Sequence, residues 1–352
     1  MINRESRERA WIDDIRKNFR RADPGLIEKV VCALTLLEQL VLVDLDFVFK
    51  GGTAVLLSLD RLDRFSIDID IVMPERPVDF EEKLSRAVAA AGFIKFEPDE
   101  RKHALSVHKE HYKCYFQSVT TKFETAIILD VIFDKPTYGT VLEIPIESRF
   151  LKTTGAATRV RVPRLEGLLA DKLATFAPDT IGIEYGRQKG LSIAKQLYDI
   201  SRLFDFAKDL TAVKEDFARL VAVEARYKKL TGVNVERVLD DCFSASLMVA
   251  RRGKESPERY EELIDGVQAL RAFLFNGSST RDDAVMWASK AAYLSRLLRR
   301  PEGLAVERHD PAVDLKAVQI DGNDFNQLNK IMKFSPDGFF YWHKAIGLHR
   351  KP

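Results

Sequence analysis

Two aspartates, Asp68 and Asp70, stand at alternate positions of the segment RFSIDIDI, which covers residues 64–71. Side chains of a strand alternate between its two faces, so this segment predicts a strand with Arg64, Ser66, Asp68 and Asp70 on one face. Two carboxylates that close together repel each other, and a divalent cation such as Mg²⁺ relieves the repulsion. A pair of cations about 3.5–4 Å apart serves in-line displacement at phosphorus. The pair could lie on a solvated face of a sheet, or it could form a metal site for chemistry at phosphorus, and its combination with the glycine turn described below favours the metal site.

A third carboxylate, Asp130, lies inside the apolar run AIILDVIFD. A carboxylate on a central strand is costly to bury without hydrogen bonds or a partner charge. Asp130 could cap a loop or pair with an arginine, or it could be the third metal ligand, on a strand beside that of Asp68 and Asp70. Asp134 and Glu124 are weaker candidates for the same role.

Gly51 and Gly52 lie between a short strand-like run, DFVF, and a segment of helical composition that begins at Thr53. The order strand, glycine turn and helix places free backbone N–H groups at a helix N-terminus, where they can bind phosphate. Glycine also lets a polyanion approach the backbone closely. This predicts a phosphate-binding turn beside the metal carboxylates.

Charged residues of the later helices are further candidates. Lys172 occupies a position in the apolar stripe of RLEGLLADKLATFA where a leucine is expected. Its side chain could snorkel to solvent, or its helix could cross the mouth of the site so that Lys172 reaches a triphosphate or a carboxylate. Arg187 belongs to the loop GIEYGRQKG, which does not satisfy the GxxxxGK[ST] pattern but could hold phosphate at a helix N-terminus. Asp199 could orient Lys172 or Arg187, or be a surface acid.

The elements that must position these residues form two groups. Up to residue 150 helical and strand patterns alternate, and after it helical periodicity prevails. We therefore predict an α+β protein with a mixed-sheet domain over residues 1–150 and a mainly helical domain over 151–352. The helices predicted in the first domain are 5–21, 25–42, 53–59 and 79–91. The later strands predicted in it are about 103–107, 113–119 and 126–133. Helices predicted in the second domain include 211–227, 233–250, 258–275, 281–299, 323–333 and 337–346.

Composition is that of an ordinary globular protein: 352 residues, 46% hydrophobic and 31% charged, with a formal net charge of +2. This charge is too mild to indicate a nucleic-acid partner by itself. The charged N-terminus lacks the apolar core of a signal peptide, and acidic residues interrupt the longest apolar stretch, so we predict a cytoplasmic protein without a membrane span. His103, His108 and His111 fit no zinc-binding pattern well.

The motifs described above resemble those of a known family. Lys50-Gly-Gly-Thr-Ala-Val, followed by Arg64-Phe-Ser-Ile-Asp-Ile-Asp, is similar to the first motif of the AbiEii/AbiGii toxin group, a branch of the DNA polymerase β-like nucleotidyltransferases. Asp130 looks like the family's third carboxylate. Lys172 and Asp199 stand in segments that look like its C-terminal signatures, and Gln196 stands where the family usually has an acid. The resemblance covers roughly residues 45–205.

The resemblance implies a toxin of a toxin–antitoxin or phage-defence pair, which transfers a nucleoside monophosphate from an NTP onto RNA, with a tRNA 3′ end as the leading acceptor. A cognate antitoxin would be a partner. The implied metal ligands for two Mg²⁺ are Asp68, Asp70 and Asp130, and the implied groups around the triphosphate are Lys50, Gly51, Gly52, Thr53, Arg64, Ser66 and Lys172. The alternatives are transfer to a protein or a small molecule, and a non-catalytic NTP-binding protein.

Overall fold

A computed structural model describes residues 1–19, 22–59, 62–100, 106–301 and 305–350. The chain forms two compact units. Unit 1 comprises Met1–Arg164 together with Ala272–Gly277, and unit 2 comprises Leu165–Arg271 and Ser278–Pro352. No helix within the described ranges is long and apolar enough to cross a membrane.

Unit 1 is built on a mixed sheet, whose strands among the described residues follow the order β1-β2-β5-β4-β3. Strands β2 and β5 are parallel, and every other neighbouring pair is antiparallel. The strands are β1 (Val48–Lys50), β2 (Ile69–Met73), β3 (Lys95–Pro98), β4 (His108–Gln117) and β5 (Glu124–Phe133). Together with the helices described below, this sheet confirms the predicted α+β class.

The helices of unit 1 begin and end close to the predicted limits. A short 3₁₀ turn, Arg4–Arg7, precedes α1 (Arg9–Asn18), α2 (Pro24–Leu42), α3 (Gly51–Ser58) and α4 (Phe80–Ala90). Asp23 caps α2, since its side chain accepts a hydrogen bond from the N–H of Leu26. The residues directly before and after Asp70 and Asp130, which are Ile69, Ile71, Leu129 and Val131, are at most 1% exposed, as the period-2 pattern requires.

Several strand predictions were wrong. The segment from Arg64 to Asp68 is irregular, and regular strand structure begins only at Ile69. Strand β3 had not been predicted, nor had the hairpin of β6 (Val141–Pro145) and β7 (Arg159–Pro163), which places a strand beyond residue 150. The run predicted at 103–107 lies mostly outside the described residues, and residues 106–107 are not in a strand.

The irregular segment that leads to β2 is held by chain from far along the sequence. Arg64 forms an isolated antiparallel bridge with Leu274, the N–H of Phe65 donates to the carbonyl of Phe273 (2.8 Å), and the N–H of Phe275 donates to the carbonyl of Asp63 (3.1 Å). The ring of Phe275 packs against that of Phe65, with 4.9 Å between centroids. Residues Ala272–Gly277 therefore complete unit 1, although the chain before and after them belongs to unit 2.

Among the residues that the structure describes, unit 2 contains helices and irregular segments but no strand. Its α-helices are α5 (Leu165–Thr175), α6 (Gly190–Phe206), α7 (Leu210–Tyr227), α8 (Val235–Ala250), α9 (Pro257–Leu270), α10 (Arg281–Arg299) and α11 (Pro336–His349). The helix α10 packs against α6, α8 and α11. In α11 the side chains of Phe339 and Trp342 are buried in the bundle.

Candidate functional site

A row of polar residues crosses four adjacent strands of the sheet in unit 1. Lys50 of β1 pairs in register with Asp70 of β2, Asp70 with Asp130 of β5, and Asp130 with His111 of β4. Residues in register across neighbouring strands point to the same face of a sheet. The topology therefore brings together two of the three predicted carboxylates, one predicted lysine and a histidine to which the sequence had assigned no role.

The carboxylate of Asp70 lies in an environment that opposes its charge. Burial is the largest cause that raises its pKa, to about 6; the nearby carboxylates of Asp130 and Asp68 also raise it, while Lys109 and Lys50 act against the increase. Asp70 and Asp130 stand in register on β2 and β5, and Asp68 lies just before β2. Metal binding by the three carboxylates together stays a prediction.

Asp70 is packed directly against the start of α3. Gly51 has φ +77°, and a Cβ atom on this residue would lie 2.1 Å from Asp70 Oδ2. A Cβ atom on Gly52 would lie 2.5 Å from Ser66 Oγ and in contact with Arg64. Both glycines therefore leave room for polar side chains of the predicted site. They are the first residues of the helix and not a turn before it, so their N–H groups are among those with no acceptor within the helix.

Thr53, Arg64 and Ser66 support the backbone around the aspartates. Thr53 is fully buried, and its hydroxyl donates to the carbonyl oxygen of Asp68 (2.6 Å). Arg64 is 1% exposed, and its Nη1 donates to the carbonyl of Phe65 (2.9 Å). Ser66 is also buried. These contacts fix the path of the segment before β2. Binding of phosphate by the same side chains stays a prediction.

Asp130 is paired, but not with an arginine and not as a loop cap. His111 Nδ1 lies 2.6 Å from its Oδ1, and Lys109 Nζ lies 3.6 Å from its Oδ2. Glu124 stands at the opposite end of β5, and Asp134 follows the strand and accepts a hydrogen bond from the N–H of Lys135. Of the three acids considered for the third position, Asp130 is the one in register with Asp70.

In unit 2, Lys172 and Asp199 form a buried ion pair. Lys172 Nζ is 3.3 Å from Asp199 Oδ2, and their side chains are 6% and 0% exposed. Asp199 is therefore not a surface acid, and Lys172 does not snorkel to solvent. The out-of-place lysine of α5 is held by the aspartate of α6, as one of the alternatives from the sequence had proposed.

In the loop that contains Arg187, the backbone amides that could bind an anion already donate hydrogen bonds to a carboxylate of the protein. The N–H groups of Gly186 and Lys189 donate to the carboxylate of Glu262 (2.6 and 3.0 Å). The side chain of Arg187 is exposed and forms an ion pair with Glu184. An acid from α9 thus occupies the position at the N-terminus of α6 where phosphate binding was predicted.

The donor set in unit 1 fits a hard divalent cation by its chemistry. Carboxylate oxygens are the ligands that Mg²⁺ prefers, and a cation would relieve the repulsion that raises the pKa of Asp70. Among the residues that the structure describes, no group of three or more His, Cys, Asp or Glu side chains is already arranged as a metal site.

Comparisons with known proteins identify the family of the chain. The family model of the nucleotidyl transferase AbiEii toxin, type IV toxin–antitoxin system, matches residues 35–283. Among solved structures, JHP933 from Helicobacter pylori is 17% identical, with a TM-score of 0.46 over 77% of this chain and 94% of that one. MenT4, a nucleotidyltransferase toxin from Mycobacterium tuberculosis H37Rv, is 15% identical, with a TM-score of 0.40 over 82% of this chain and 99% of that one. No curated protein matches the chain significantly.

Proposed function

Because the chain belongs to the AbiEii family of nucleotidyltransferase toxins of type IV toxin–antitoxin systems, we propose that it transfers a nucleoside monophosphate from an NTP onto RNA, with a tRNA 3′ end as the acceptor. The proposal includes Mg²⁺, a cognate antitoxin, a role in phage defence and action in the cytoplasm, where NTPs and tRNA are found. The observation that carries it is the register pair of Asp70 and Asp130 on parallel strands, packed against the glycine start of α3.

In this proposal Asp68, Asp70 and Asp130 would hold Mg²⁺. The cation would supply positive charge that neutralises the triphosphate and polarises its α-phosphorus. The N–H groups at the start of α3 would hold the terminal phosphates, with Lys50 beside them. Arg64 and Ser66, which line Gly52, would contribute to the same phosphate site.

The reaction would proceed by displacement at the α-phosphorus of the NTP. An acceptor hydroxyl oxygen forms the new bond to that phosphorus, while the bond to the oxygen bridging to the β-phosphorus breaks and pyrophosphate leaves. The hydroxyl proton would pass to a carboxylate oxygen of Asp130. Lys172, held by Asp199 in unit 2, would neutralise charge on the triphosphate, and Arg187 would be a further phosphate contact. Within unit 2 the charge of Lys172 is already paired with that of Asp199, and Glu262 already accepts hydrogen bonds from the amides of the loop that carries Arg187.

Labelling separates the possible acceptors. Purified protein is incubated with Mg²⁺, total RNA, total protein and each α-³²P NTP in turn. The proposal expects label in RNA of tRNA size that ribonuclease removes, and none with Asp70→Asn. Asp134→Asn is the matched control, since this acid lies four residues beyond Asp130 and outside the polar row; it should label RNA like the wild type.

Other outcomes would contradict the proposal. Label in protein or in a small molecule would favour the alternative acceptors, and label in RNA that persists in Asp70→Asn would remove the role of the carboxylates. Binding of tRNA should also weaken steeply as salt rises, because a protein that contacts several phosphates releases their counterions. A flat salt profile would argue against a nucleic-acid acceptor.

A further inference from the structure

His111 stands next to the proposed metal ligands, at the end of the polar row. It belongs to β4, and its register partner on β5 is Asp130. Its side chain is 7% exposed, and its own carbonyl oxygen accepts a hydrogen bond from the N–H of Asp99 (2.7 Å). Backbone and ring are therefore both held in place.

The direction of the contact with Asp130 follows from the chemistry of the two groups. His111 Nδ1 lies 2.6 Å from Asp130 Oδ1, and an ionised carboxylate can only accept hydrogen bonds. The hydrogen must therefore be on Nδ1, whichever charge the ring carries. A short hydrogen bond from a buried ring to a carboxylate fixes the rotation of that carboxylate.

We infer that His111 is a positioning residue, which orients the carboxylate of Asp130 toward Asp70 for metal binding and nucleotidyl transfer. This inference rests on the proposed function. Asp130 stands in an aliphatic strand, and its carboxylate also pairs with Lys109, whose Nζ lies 3.6 Å from Oδ2. A long flexible ammonium group at that distance defines the orientation less well than a ring at 2.6 Å. Partners that orient metal-binding carboxylates contribute 10–100-fold to metal affinity or activity.

The test uses isosteric changes. In His111→Asn the amide nitrogen takes the place of Nδ1 and retains the donor, whereas His111→Leu keeps bulk without a donor. His108→Leu is the matched control, because His108 is an exposed histidine of the same strand that pairs with Glu110 and not with any of the three aspartates. Mn²⁺ affinity is measured by calorimetry or electron paramagnetic resonance, and single-turnover transfer is measured with the acceptor found by labelling.

The expected result is a 10–100-fold loss of Mn²⁺ affinity and of transfer rate in His111→Leu, substantial rescue in His111→Asn, and wild-type behaviour of His108→Leu. Equal Mn²⁺ affinity in His111→Leu and wild type would overturn the inference. A loss that His111→Asn does not rescue would also overturn it, since the donor would not be what matters.

A double-mutant cycle of His111→Leu and Asp130→Ala in metal-free protein tests the contact itself. Non-additive changes in unfolding midpoint are expected for a direct interaction, and additive changes would show that the ring does not hold Asp130. A wild-type protein that binds no Mn²⁺ would overturn the proposed function, and this is recognised before any variant is measured.

Discussion

The carboxylate of Asp70 packs against Gly51 where a Cβ atom would stand, and Gly51→Ala tests this packing. At φ +77° an alanine pays about 1–2 kcal/mol for the left-handed backbone. Its Cβ would begin 2.1 Å from Asp70 Oδ2, so the carboxylate must retreat by more than about 1 Å to reach van der Waals contact. A displacement of about 1 Å at a reacting group can cost about 100-fold in rate. We therefore expect a loss of transfer near two orders of magnitude, together with weaker Mn²⁺ binding.

Gly155→Ala separates displacement of the carboxylate from backbone strain. Gly155 belongs to the same unit and has φ +67°, but a Cβ atom there would meet nothing within 4 Å. Both variants should lose a similar amount of stability from the backbone in urea unfolding, with a further loss in Gly51→Ala from the clash. Initial rates of labelled transfer then decide the matter, since the rate of Gly155→Ala should stay within about twofold of wild type. Equal rates in the two variants would refute the assignment of Gly51 as the residue that makes room for Asp70.

Other consequences of the structure can be measured in the same way. Burial raises the pKa of Asp241 from 3.8 to about 6, so the native protein binds this proton more tightly than the unfolded chain does. The free energy of unfolding should therefore fall by up to about 3 kcal/mol as pH rises from about 4 to about 6. Urea titrations of Asp241→Asn should lack that decrease, and an unchanged pH profile would contradict it. Asp199→Ala should lower the free energy of unfolding by about 3–5 kcal/mol, because it leaves the charge of Lys172 buried without this partner. The double variant Lys172→Met with Asp199→Leu should lose less stability, and equal losses would argue against an ion pair. Phe275→Ala should lower the stability of unit 1 by about 3–5 kcal/mol and reduce transfer, while Phe123→Ala, at a ring that is 76% exposed, should change neither; a silent Phe275→Ala would contradict the packing of Phe275 against Phe65.

Local patterns in the sequence were sufficient to find the carboxylates. Alternation around Asp70 and the acid in an aliphatic run at Asp130 each indicated a strand, and the structure places those strands side by side. Lys172 was identified because it interrupts an apolar stripe, and its buried partner is Asp199. These signals depend on near neighbours in the chain, which is why periodicity could reveal them.

Features that depend on pairing between distant segments were not predicted. His111 acquires its position from the register between β4 and β5, and a histidine in a strand has no local mark of such a partner. The segment from Arg64 alternates like a strand, yet its partner is the bridge from Leu274 and regular structure starts only at Ile69. Glu262 likewise fills the amides of a loop that precedes it by more than seventy residues.

The bridge between Arg64 and Leu274 also affects the order in which the protein can mature during synthesis. The ribosome adds Phe65 and Phe150 early, and their rings pack against each other. Phe275 packs against both rings, but it is added about two hundred residues after Phe65. Unit 1 therefore cannot close its core until most of the helical unit has left the ribosome. The segment that leads to β2 therefore reaches its final arrangement only after residues 272–277 have been made. Nascent chains arrested before residue 272 and after the exit of residue 277 should accordingly differ in the protease resistance of unit 1.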